Sequence, residues 1–108
     1  MDLHQLGEER SLAYHGAIAE RMLRKPEVLE AARRRVAGWL EAQDPPPFYA
    51  RKWSEILARD LSSVAAFLTE RTELAVELRQ SSPFAGALSP QERWKIHRET
   101  RERFEGTP

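Results

Sequence analysis

Apolar residues in this chain recur at intervals of three and four, and nowhere do they alternate with polar ones over the length of a strand. The pattern predicts an all-α protein. A first helix is expected over residues 3 to 24, where Leu12, Ala19, Met22 and Leu23 fall on one arc that His15 and Ile18 widen. Asp2 can cap it, and Lys25-Pro26 ends it, because the residue before a proline is pushed out of helical geometry. Pro26 suits the first turn of a second helix, whose stripe of Leu29, Ala32, Val36, Trp39 and Leu40 stops near Gln43. Asp44, Pro45, Pro46 and Pro47 then form an extended spacer, since consecutive prolines exclude a helix.

Phe48, Tyr49, Trp53, Ile56 and Leu57 restart the helical pattern, with Trp53 and Leu57 expected on a buried face beside Trp39. A break at Arg59 to Leu61, capped by Asp60 or Ser62, precedes a further short stripe of Leu61, Val64, Ala65 and Leu68. Thr69 or Thr72 caps the next, which carries Leu74, Ala75 and Leu78 and ends around Gln80. Residues 81 to 88 lack a helical register and read as a loop. Ser89-Pro90-Gln91-Glu92 is the strongest local signal: serine as cap, proline at the first helical position, and glutamate three residues on, reaching back. The helix it opens runs to about Glu105, with Trp94, His97, Arg101 and Phe104 on one side and Gly106-Thr107-Pro108 as terminator.

With 108 residues and 41% hydrophobic content, these elements suit a compact single-domain bundle of five or six helices over residues 1 to 108. No period of solenoid length repeats. The absence of cysteine excludes thiol nucleophiles, disulfides and cysteine-based metal sites, and fits a reducing cytosol. No apolar run is long enough to span a membrane, and Met1 to Gln5 lack a basic region followed by an apolar one. A cytoplasmic location without a membrane partner is the expectation.

Candidate chemistry is sparse. His4, His15 and His97 stand too far apart in sequence to place two ligands on one helical face, so no metal is expected, and His15 reads as a hydrogen-bonded histidine at the edge of the core. The carboxylate pairs Glu8-Glu9, Glu27 with Glu30, and Glu99 with Glu102 each have Arg or Lys at helical spacing, the pattern of solvated ion pairs. No glycine-rich phosphate loop or serine elbow occurs, and no cofactor is called for. The sequence reads as non-enzymatic.

Lys plus Arg equals Asp plus Glu at 17 each, which removes the basic excess of a dedicated nucleic-acid binder. Arg33, Arg34 and Arg35 are the densest basic cluster, and a nucleic-acid role would use them against phosphates. The last helix interleaves Arg93, Lys95, Arg98, Arg101 and Arg103 with Glu92, Glu99, Glu102 and Glu105, which suits a solvated or partner-facing helix better than a groove reader. The apolar loop Pro83 to Leu88 beside this helix offers a different surface. If the bundle leaves them uncovered, Phe84, Leu88 and Trp94 become aromatic and aliphatic anchors, with Arg79 and Arg93 as ion partners for acidic groups of a bound protein; core packing is the competing fate.

The stretch Leu78 to Gly86 (LRQSSPFAG), followed by Leu88 to Trp94 (LSPQERW), resembles the tail of small bacterial helical proteins of the antitoxin type. The similarity extends to Ala31 through Trp39 and Tyr49 through Leu57. The resemblance implies a protein that binds and neutralises a toxic enzyme. The chain departs from many antitoxins in having no ribbon-helix-helix strand or helix-turn-helix, so operator binding is not implied. The expected function is thus a protein–protein interaction module of this kind. The alternatives are a nucleic-acid-binding transcriptional regulator and a structural subunit of a larger assembly.

Overall fold

Six helices follow in the order the periodicity predicts: α1 (Leu3–Arg24), α2 (Glu27–Ala42), α3 (Phe48–Leu57), α4 (Leu61–Phe67), α5 (Glu73–Arg79) and α6 (Pro90–Glu105). The computed structural model describes residues 2–106, among which there is no strand. Thr107 and Pro108, expected in the terminator, lie outside the described residues. Gly106 closes α6 at φ −79°, in right-handed rather than left-handed geometry, its N–H donating to the Glu102 carbonyl.

Side-chain caps start four of the helices. Asp2 accepts from the amides of His4 and Gln5, Asp60 from that of Ser63, and Thr72 Oγ1 from that of Ala75. At α6 the reciprocal box is complete: Ser89 Oγ accepts from the Glu92 amide at 3.1 Å, and a Glu92 carboxylate oxygen accepts from the Ser89 amide at 2.9 Å. Each cap satisfies amides that have no partner within the helix.

The 22-residue α1 is the spine against which α2, α4, α5 and α6 all pack, while α2 and α3 pair across the proline run. The core gathers Ile18 and Met22 from α1, Leu29 and Val36 from α2, Trp53 and Leu57 from α3, Val64 and Phe67 from α4, and Leu78 from α5. Trp53 is its centre. Fully buried, it meets Phe67 and Phe84 edge-on at 5.7 and 6.0 Å between ring centroids, and its Nε1–H donates to the Leu78 carbonyl at 3.1 Å. Trp39, expected beside it, packs against this core from the half-buried margin, where it also pairs edge-on with Tyr49. Leu23, expected on the apolar arc of α1, is exposed although Met22 beside it is fully buried, because successive helical residues point about 100° apart.

The 81–88 loop is part of the core. Phe84 and Leu88 are buried, at 2% and 5% exposure, so neither is available as a surface anchor in this fold. The physical reason is coverage: Phe84 enters a slot against Trp53 and His15, and the loop is drawn inward by donors from two helices. Arg35 Nη1 donates to the carbonyls of Pro83 and Ala85 at 3.2 and 2.9 Å. Gly86, at φ +84°, takes the left-handed conformation that lets the chain turn between Phe84 and Leu88.

Candidate functional site: a basic aromatic cleft

The arginines singled out in the sequence divide by what they hold. Arg33 donates from Nε to the Leu57 carbonyl at 2.8 Å and from Nη2 to the Arg59 carbonyl at 3.2 Å, and it also pairs with Glu30. Those carbonyls belong to the end of α3, where backbone acceptors run out of helical donors. With Arg35 holding the 83–85 loop, only Arg34 of the three points outward without such a task. A phosphate-binding face built on Arg33, Arg34 and Arg35 together does not form, because successive helical residues diverge around the axis.

Arg79 is also buried rather than presented. Its Nη1 donates to the carbonyls of Glu70 at 2.7 Å and Leu68 at 3.3 Å, which closes the end of α4 with a cation from the end of α5. Burial and the neighbouring Arg71 charge hold its pKa below the usual arginine value, with Glu8, Glu70 and Glu9 acting the other way. Arg93 and Trp94, by contrast, stand on the first turns of α6 and face outward; Trp94 is 62% exposed.

Packing α6 against α1 turns these residues into one wall of a cleft of about 550 Å³. Arg10, Ser11, Tyr14 and His15 of α1 form the opposite wall, Arg79, Gln80 and Ser82 the floor side, and Pro90, Arg93, Trp94, Ile96 and His97 the α6 side. The Trp94 and His97 rings stack at 5.8 Å with 14° between their planes. Tyr14 lies edge-on to His15 at 5.3 Å. A larger hollow, about 700 Å³, runs between α1, α4 and α6; small side chains such as Ala13, Gly16, Ala17 and Ala66 line much of it together with Glu20, Glu99 and Arg103, and it has no aromatic ring.

His15 sits at the back of the cleft, 2% exposed. Its Nδ1 lies 2.8 Å from the Ser11 carbonyl, which can only accept, so Nδ1 carries the proton and Nε2 accepts from the Ser82 hydroxyl, also at 2.8 Å. Ser82 Oγ in turn accepts from the Phe84 amide. Burial pushes the His15 pKa down to about 4 against the opposing pull of the Ser11 carbonyl, and the Arg79 charge adds to the depression. An imidazole held so low is a weak base at neutral pH, so this serine–histidine pair is poorly matched to activating a nucleophile. Its mechanical effect is clear: it pins the 81–88 loop to α1. The reading of His15 as a hydrogen-bonded residue at the core edge agrees with this geometry.

Burial also lowers the His97 pKa, assisted by the charges of Arg10 and Arg101. No cluster of potential metal ligands is found among the described residues, and no helix is long and apolar enough to cross a membrane. Sequence reasoning missed Arg10, Ser11, Tyr14 and Ser82. The spacing of Arg10 and Tyr14, one turn apart on α1, was the available signal, but nothing local says that this turn faces Trp94. No family model, curated protein or solved structure matches this chain.

Proposed function

We propose that this chain is a non-enzymatic binding module that docks a partner protein along the start of α6, with Trp94 as apolar anchor and Arg93 and Arg10 as partners for acidic groups. The observation that carries the reading is Trp94: the largest side-chain type stands 62% exposed beside two arginines on a helix whose only buried residue is Thr100. Exposed tryptophan and arginine at the mouth of a cleft are the composition that concentrates binding energy at protein interfaces. The antitoxin-like segment 78–94 contributes both the loop latch and this surface, and it makes a toxic enzyme, neutralised by steric cover, the partner class that fits.

Nucleic acid fits less well, since Arg33 and Arg35 are committed to backbone carbonyls. The test is co-expression and co-purification with the product of the adjoining gene. A stoichiometric complex that Trp94→Ala with Arg93→Glu weakens by about 100-fold, at unchanged helicity, is the expected result. A double variant that binds and neutralises like the wild type overturns the surface, and the absence of any complex overturns the reading.

A further inference from the structure

The cleft behind this surface carries a charge pattern of its own. The whole chain is neutral, yet the twelve residues lining this cleft include Arg10, Arg79 and Arg93 and no carboxylate. Of the nearest acids along α1, Glu9 pairs with Arg71 at 3.0 Å, and Glu8 lines an adjoining hollow that shares Ser11, Arg79 and Gln80 with the cleft, so these acids offset Arg79 and neither lines the cleft itself. Arg10 Nε is buried with no hydrogen-bond partner, and a buried unpaired guanidinium donor costs free energy unless an acceptor reaches it. Both imidazoles at the cleft feel arginine charge, His15 from Arg79 and His97 from Arg10 and Arg101. On the α6 side the nearly parallel Trp94 and His97 rings supply an aromatic wall, and about 550 Å³ lies within the size range of small-ligand sites.

We propose that this cleft is a binding site for a small organic anion with a flat apolar body, an aryl carboxylate or aryl phosphate, whose charged head meets Arg10 and Arg93 and whose ring lies against Trp94. The fork of an arginine suits either oxyanion, and the aromatic face suits the ring. The inference does not rest on the protein-docking reading, because it is tested on the isolated chain with small molecules.

Titration calorimetry of the full chain with benzoate, phenyl phosphate, inorganic phosphate and benzylamine distinguishes the head group from the ring. Saturable one-site binding of benzoate or phenyl phosphate with Kd below about 1 mM, at least about tenfold tighter than inorganic phosphate or benzylamine, is expected. Which aryl anion binds tighter identifies the head group. Arg10→Gln and Arg93→Gln, each checked for wild-type helicity, should weaken binding by about tenfold apiece, and the bound anion should raise the His97 pKa followed by proton NMR. Benzylamine binding as tightly as the aryl anions overturns the proposal, as does inorganic phosphate doing so or aryl anions failing to saturate. If Arg10→Gln does not fold, Arg93→Gln on exposed α6 decides alone, and unchanged affinity there also overturns the proposal.

Discussion

Lowering the pH should unlatch the 81–88 loop through His15. In the fold, Nε2 accepts the Ser82 hydroxyl proton and Nδ1–H holds the Ser11 carbonyl. Protonation places a second N–H toward Ser82 Oγ, forces that hydroxyl to turn away, and sets a cation inside the core near Arg79. The folded pKa of about 4 lies below the ordinary value of 6.5, so the unfolded chain binds the proton first and stability falls as pH drops through this window. Above pH 6.5 the contribution is fully present. The full shift corresponds to roughly 3 kcal/mol, of which about 2 kcal/mol is already lost near pH 5. Urea unfolding at about pH 7.5 and about pH 5 measures the loss in the wild type, and His15→Gln, which hydrogen-bonds without titrating, serves as reference. His97 titrates in both proteins, so it drops out of the difference. A wild-type loss under about 0.5 kcal/mol, or an equal loss in the variant, would refute the assignment of this pH dependence to His15.

Three substitutions probe the fold that presents the cleft. Trp53→Ala should cost roughly 3 to 5 kcal/mol in denaturant titration, since it empties the fully buried centre of the core and leaves the Leu78 carbonyl without its donor; a loss under about 0.5 kcal/mol contradicts the placement. Ser89→Ala should remove about 1 kcal/mol by opening the capping box at the start of α6, and an unchanged melting curve counts against it. Gly86→Ala should destabilise by about 1 to 2 kcal/mol through backbone conformation alone, because its φ of +84° disfavours a Cβ although no atom lies within 4 Å of that position. A neutral melting temperature for this variant would show that the loop turns without left-handed geometry.

What the sequence determined about this protein is local. The six helices, the Ser89–Glu92 box, the Asp60 break and the polar character of His15 follow from side chains acting within a turn or two of their own backbone. Capping, proline geometry and the three-four apolar spacing need no distant partner. The fates of Phe84, Leu88, Arg79, Arg33 and Arg35 needed one. An apolar loop is anchor or core according to whether other helices cover it, and Trp53 and His15 cover Phe84 from positions 31 and 69 residues away. An arginine is a surface charge or a backbone brace according to which carbonyls the fold leaves unpaired near it, and those of Leu57, Leu68 and Pro83 become its neighbours only on packing. The basic cleft belongs wholly to the tertiary structure. Its walls come from opposite ends of the chain, α1 and α6, and nothing in the periodicity of either helix says that Arg10 and Tyr14 face Trp94 and His97.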